Sequence, residues 1–449
     1  MSALRRLLAL RTRRPAFVTT SLVVLTLLVA YPFVDAALRH LHALGHPRFD
    51  WVAPFHFNDF GAYATAIARW QSDHLVYWRN PEGGFFGTYL YPPVYLLVFL
   101  PWVALGGVDV LPLTPFETAA LLFELCSLLA LWLGLQLVAR VSGLRLAWYD
   151  RLLGLVALVG FQPLLFSMKL GQVSALVAAG FCFAYATMAY DPAGRWGRTA
   201  QLASGALTAA VAGIKPYYAT AGTHLLCSRT RLTGAVGGGV ALLALSVGVF
   251  GVENHVEYLT VLSWGKGWGT RPSALSAWHP GYFEPLFVIG RRFGTATVLI
   301  RLGLLVGVAV LAVLTRDADV RRETFALGLA VYPLAAPEVY TQDFVALLLV
   351  AGVLVEIEFE RPRGHPTLPV VAVGLLGGHA YGLAFLVFPL PDVVPFGDAV
   401  LALAPLLQPG LWGTLLLFGL SALRVAEPLD PGATLSGIRD VVSLQSGGN

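Results

Sequence analysis

The residues best equipped for chemistry lie between 56 and 93, where His56-Phe57-Asn58-Asp59-Phe60-Gly61-Ala62-Tyr63 precedes Tyr89-Leu90-Tyr91-Pro92-Pro93. A carboxylate such as Asp59, placed where water is scarce, can take a proton from an attacking hydroxyl and so act as a general base. Asp59 or Asn58 is equally suited to cap a helix by accepting its free N–H groups, and the two roles are compatible. Phe60, Tyr63, Ile67 and Trp70 recur at helical spacing, with Arg69, Gln71 and Asp73 among the polar positions. The stretch therefore reads as an amphipathic helix lying in an interface. Tyr91-Pro92-Pro93 removes two backbone donors and fixes chain direction, so it positions rather than reacts.

Four further groups join this set. Gly171-Gln172 allows a close backbone approach beside a neutral amide. Lys215-Pro216 presents an ammonium, suited either to snorkelling or to holding a phosphate. Trp264, Lys266, Trp268, Arg271, Trp278, His279 and Tyr282 mix aromatic platforms with cationic or donor groups. An interfacial aromatic belt explains the tryptophans alone, whereas sugar stacking with phosphate contacts would use the whole set. Pro337-Glu338-Val339-Tyr340-Thr341-Gln342-Asp343 places polar groups between two apolar stretches, as the wall of a hydrated cavity would, and leaves sugar binding, metal binding and helix capping open.

The elements that must position these residues are membrane helices. Of the 449 residues, 57% are hydrophobic and 12% charged, and the mean hydropathy is +0.69; a soluble domain carries about 25% charged residues. Apolar runs recur from Phe17 to Ser421, many of a length to cross roughly 30 Å of hydrocarbon. The arginine-rich start before Phe17–Val34 reads as the flank of a retained first span rather than a cleaved leader. The net charge of +4 is mostly arginine in short loops, which points to topology and anionic lipid rather than nucleic acid. Cys126, Cys182 and Cys227 form neither a disulfide framework nor a metal-binding spacing.

Basic clusters at 5 to 14, 140 to 151, 195 to 198, 229 to 231, 316 to 322 and 361 to 363 are all placed on the cytoplasmic side by the positive-inside rule. The predicted fold is an all-α polytopic bundle of about 12 crossings, with both termini cytoplasmic. Residues 1–422 form one transmembrane domain, with external loops at 35–90 and 252–283 and a flexible cytoplasmic tail at 423–449. Leu90–Leu105 is a re-entrant or interfacial segment, and hairpins are expected at 152–190, 201–228 and 323–359. All three lysines, with Asp59, Gln172, His279 and Asp343, then converge on the outer face, as the walls of an external cavity would.

Asp59-Phe60 with Tyr63, Tyr91-Pro92-Pro93, Gly171-Gln172, Gly213-Ile214-Lys215-Pro216 and the late Pro337 hairpin, in this order, resemble glycosyltransferase family 87 within the GT-C membrane glycosyltransferases. Members are similar to polyprenyl-phosphate-mannose-dependent mannosyltransferases. The resemblance implies a GT-C-like bundle working on the non-cytoplasmic face, a polyprenyl-phosphate sugar as co-substrate, a lipid or glycan acceptor, and Asp59 as base of an inverting transfer. Lys215, His279, Arg271 and Gln172 are then the donor-phosphate candidates, and Asn58, Tyr63, Tyr91, Trp268, Trp278, Tyr340, Gln342 and Asp343 the substrate-binding candidates. No metal or other cofactor is expected. The chain departs from the family pattern where a Pro-x-x-Trp-x-His-His-like sequence is anticipated and Pro337 to Asp343 stands instead. A transporter or flippase is the alternative, although no internal repeat supports it.

Overall fold

The computed structural model describes residues 3–45, 55–78, 88–105, 113–190, 196–264, 282–287, 289, 293–336, 339–387 and 389–429. It is built almost wholly of helices. After α1 (Ala3–Ala9) come the long α2 (Pro15–Ala43) and the amphipathic α3 (Asn58–Gln71). A 3-10 turn at Pro93–Tyr95 leads into α4 (Leu96–Leu105), then α5 (Pro115–Val141), α6 (Trp148–Val159), α7 (Gln162–Leu170), α8 (Ser174–Ala189) and α9 (Gly197–Ala212). A 3-10 helix, Pro216–Leu225, precedes α10 (Arg229–Trp264). Beyond strand β1 (Tyr282–Phe283) lie α11 (Gly294–Leu314), α12 (Arg321–Ala335), β2 (Val339–Tyr340) and a 3-10 segment, Thr341–Ala346. The chain closes with α13 (Leu347–Glu360), α14 (Thr367–Gly377), α15 (His379–Val387), α16 (Pro389–Val393), α17 (Gly397–Leu407) and α18 (Pro409–Ala426).

Local chemistry sets several boundaries. Thr114 and Glu117 form a reciprocal capping box before α5, and Pro115 occupies its first position, where a missing N–H costs nothing. Gly171 ends α7 in the left-handed conformation (φ 74°), open to glycine at no steric cost. The centre of the bundle is α8, α12 and α13, where Phe181, Phe325, Leu329, Val350 and Leu354 are completely buried. The long α10 and α11 instead expose Val236, Leu243, Leu259, Leu299, Leu302 and Val306, a surface suited to lipid tails.

Among the described residues five helical stretches are long and apolar enough to cross a membrane, or up to seven if each of two bent pairs counts as one span. The pairs are α6–α7, bent by 66°, and α14–α15, bent by 58°. The expected count of about 12 is thus not matched. Helices enclosed by protein need not be long: α8, α12 and α13 are each 16 residues or fewer. The predicted 201–228 hairpin has a 3-10 helix, not a second α-helix, as its returning half.

Other boundaries move as well. Helix α2 runs through Asp35 to Ala43, so the first loop starts later than Asp35. Helix α10 continues to Trp264 past a break at Gly251 (φ 73°), so the second external loop does not begin at Gly251. Helix α18 and a short 3-10 turn extend to Leu429, beyond the predicted start of the tail. The all-α expectation missed one antiparallel ladder, in which Tyr282 pairs with Tyr340 and Phe283 with Val339. Four residues suffice because Phe283, Phe344 and His379 pack edge to face behind it, ring centroids 5.0 to 5.5 Å apart.

One end of the bundle is an ionic lattice. Arg424 grips buried Glu358 with two bonds of 2.6 and 2.7 Å, Arg322 reaches Glu356 and Glu360, and Arg361 reaches Glu427. Arg14 donates to the Gly364 carbonyl at 2.7 Å. Arg322 begins α12 and Glu356 to Glu360 end α13, so at 1.5 Å per residue the lattice lies about 15 Å from Tyr332 on α12 and about 15–20 Å from Leu347, which follows the Asp343 turn at the other end of α13.

Candidate active site

Asp59 stands in the first turn of α3. No side chain caps this helix; the residue before it, Phe57, takes the left-handed conformation (φ 47°), uncommon for a non-glycine residue. Two bonds hold it there, from His56 N–H and Phe57 N–H to the Lys169 carbonyl at 3.2 and 3.0 Å. Gly171 presses from the same side: a Cβ at this position would sit 2.7 Å from Phe60 Cβ. The Phe60 ring, fully buried, packs against Phe99, Phe116 and Phe123. The close approach read from Gly171-Gln172 is therefore an approach to α3 itself.

With the capping role untaken, the Asp59 carboxylate accepts a hydrogen bond from Gln172 Nε2. The Gln172 side-chain oxygen Oε1 accepts from Tyr91 Oη at 3.2 Å, and Tyr63 Oη lies 3.3 Å from that hydroxyl. Tyr77 and Tyr89 donate to the Tyr91 and Pro92 carbonyls at 2.7 and 2.9 Å, satisfying backbone that the prolines leave irregular. Burial raises the Asp59 pKa from its ordinary value, opposed by the Gln172 bond, the positive charge of Lys215 and the neighbouring His56. Burial also raises Tyr63 and Tyr91, so both stay protonated as donors.

The second half of the site surrounds Asp343. Its Oδ1 accepts from Lys215 Nζ at 2.7 Å and Tyr218 Oη at 3.2 Å; its Oδ2 accepts from Tyr217 Oη at 3.0 Å and the Tyr340 N–H at 3.3 Å. Tyr332 donates to the Asp343 main-chain carbonyl. A carboxylate offers about four acceptor positions, so Asp343 is saturated. Asp59, bonded among the described residues only to Gln172, keeps acceptor capacity. It is also partly exposed, while Asp343 is fully buried.

The late hairpin is consequently not an open cavity wall: Thr341 to Ala346 are buried, and Gln342 Oε1 has no hydrogen-bond partner. Asn58 is half-buried at the first position of α3. Arg271, His279, Trp268 and Trp278 lie outside the described residues. Thus Asp59, Gln172, Tyr91 and Tyr63 form one chain of contacts and Lys215, Asp343 and the Tyr340 backbone another, linked through the charge of Lys215 acting on Asp59 and Tyr91.

Sequence reasoning passed over Tyr217, Tyr218 and Tyr332. The first two directly follow Lys215-Pro216, and that adjacency was the available signal. Glu124 on α5 is fully buried with neither carboxyl oxygen hydrogen-bonded, and it stands within electrostatic reach of Asp59 and Tyr63. Among the described residues no three His, Cys, Asp or Glu side chains converge as metal ligands.

Fold and site together define a polytopic membrane protein with a partly accessible carboxylate centre against a lysine-containing polar wall. Residues 89–337, more than half of the chain, match the sequence model of glycosyltransferase family 87, and the chain belongs to that family. It is a membrane glycosyltransferase and takes a sugar donor and an acceptor, which displaces the transporter alternative. No curated protein and no solved structure matches the chain.

Proposed function

We propose that this glycosyltransferase moves a hexose, mannose in the first instance, from a polyprenyl or dolichyl phosphate to a hydroxyl of a lipid or glycan on the non-cytoplasmic face. The observation that carries the reading is the contrast between two carboxylates: Asp343 is saturated, whereas Asp59 is oriented by one neutral amide and retains room for a proton. In the transfer, the acceptor hydroxyl gives its proton to Asp59 and its oxygen attacks the anomeric carbon. The carbon–oxygen bond to phosphate breaks on the opposite face, the leaving phosphate takes the electron pair, and the configuration inverts.

Lys215 partly offsets the charge developing on the phosphate. An ammonium has three donors, and the bond to Asp343 engages one. Gln172 sets the direction of the Asp59 lone pairs, with its own orientation fixed by Tyr91. Asn58 and Tyr340 contribute to the substrate surface, with Tyr63 and Gln342 buried behind it, and Arg271, His279, Trp268 and Trp278 are proposed to extend it. The positive-inside rule favours the lattice of arginines and glutamates at the cytoplasmic surface, and this supports Asp59 and Lys215 on the outer side with both termini inside. A lipid-phosphate donor brings no nucleotide diphosphate to be held by a metal, so transfer should be unchanged in a chelator; loss of transfer there would refute metal independence.

The decisive experiment is transfer of radiolabelled mannose from polyprenyl-phosphate-mannose to membrane lipid by wild type and Asp59→Asn. Label moving with wild type, and falling about 10²- to 10⁴-fold in the variant at unchanged donor binding, is the expected result. An equally active variant removes Asp59 as base; no transfer by either folded protein removes the mannose donor.

A further inference from the structure

The segment that carries Asp59 is shaped by a buried ion pair that takes no part in the chemistry proposed above. On α2, Asp35 is 1% exposed and accepts from Lys169 Nζ at 2.6 Å; the Lys169 side chain is 4% exposed. Tyr381 Oη on α15 lies 3.4 Å from the same oxygen, and Arg39 Nε is 3.0 Å from the other. Lys169 is in the last turn of α7. Its main-chain carbonyl accepts the His56 and Phe57 N–H groups, and its ammonium lies 6.0 Å from the Phe55 ring centroid. Three residues further on, Gln172 binds Asp59. Ser167 Oγ donates to the Gln172 carbonyl at 3.4 Å, so the end of α7 moves with both anchors.

We propose that Asp35 is a positioning residue for the Asp59 carboxylate, acting through Lys169: the pair fixes the last turn of α7, which sets the left-handed turn at Phe57 and delivers Gln172 to Asp59. The inference rests on the reading of Asp59 as the base. A buried pair is a poor source of net stability, because apolar residues of similar volume do as well, but removing one partner leaves an uncompensated charge that must move. Here that charge sits on the residue whose carbonyl anchors the base segment. Loss of Asp35 therefore displaces the N-terminus of α3 while leaving Lys215 and the Asp343 wall in place.

The test uses the full-length purified enzyme with polyprenyl-phosphate-mannose, with rates taken per folded molecule. Asp35→Asn should lower kcat by about 10- to 100-fold while the donor KM changes by less than about threefold, the scale expected of a misplaced catalytic group. Asp35→Asn/Lys169→Met, which removes both charges, should recover most of that loss. In an Asp59→Asn background the Asp35→Asn substitution should cost nothing further, since both act through one group. A purely structural role would lower the yield of folded protein and leave kcat intact, and that result overturns the inference. So does a double variant no faster than Asp35→Asn, or an equal fall in both backgrounds. An Asp59→Asn enzyme as fast as wild type fails differently: it refutes the base itself.

Discussion

The two ends of this bundle handle carboxylates in opposite ways. At one end acids meet arginines: Glu358 is held in a fork by Arg424, and Glu360 meets Arg322. The Arg322 bond holds the Glu360 carboxyl below its ordinary range. At the other end there is no arginine among the described groups that bind Asp59 or Asp343; tyrosines, an amide and a lysine do the binding. Asp59, with an amide for a partner, has a raised pKa. A guanidinium fork makes a carboxylate inert, while a neutral donor orients it and lowers its basicity less than burial raises it. The same side-chain type is mortar at one end and reagent at the other.

The comparison breaks most visibly at the lattice. Arg424→Ala leaves Glu358 buried and unpaired and should destabilise the protein by about 3–5 kcal/mol, read as loss of heat resistance in detergent, with kcat unchanged in the molecules that remain folded. A large fall in kcat would mean that the two ends are coupled. Gln172→Ala should act the other way. It removes a bond to a charged group, about 1.5–3 kcal/mol, which appears as a kcat roughly 10- to 150-fold lower with little change in thermal midpoint.

Lys215→Met sharpens the contrast through pH. The positive charge of Lys215 lowers the Asp59 pKa, and burial raises it. A base works when deprotonated, so kcat/KM should rise with pH through the Asp59 pKa. Without Lys215 that pKa goes up and the acid limb should move to higher pH, on top of weaker phosphate stabilisation. An acid limb that stays in place would show that another group controls it. The smallest effect is expected at the exposed Arg321–Asp319 pair, 2.8 Å apart: Arg321→Ala should cost less than about 1 kcal/mol and leave turnover untouched.

Much of the site was legible because polar residues are rare in so apolar a chain, and each must have a reason to be there. Asp59, Gln172, Lys215 and Asp343 stood out for that reason, and the structure brings them into two adjoining clusters. Helix α3 was legible from its 3.6-residue period, and Gly171 from the backbone it had to leave bare. Partnership was not legible. Nothing near Asp35 announces Lys169 on a different helix, and nothing near Val339 announces a strand partner at Phe283. Hydropathy reports what a segment is made of and not what surrounds it, so it does not show that α8, α12 and α13, at 16 residues or fewer, are enclosed by other helices. The second external loop was expected from the end of the apolar run near Gly251, but α10 passes a break there and continues to Trp264.

That continuation of α10 fixes one foot of the loop that leads to β1. Asn254 accepts the Val76 N–H at 2.8 Å, and Tyr258 stacks on Tyr77, so the near foot stands beside the exit of α3. The far foot, β1, is laddered to the strand that runs into Asp343. The chain is thus pinned at Asn254 beside the first carboxylate cluster and at Tyr282–Phe283 beside the second, which ties the two clusters together along the sequence as well as through the charge of Lys215.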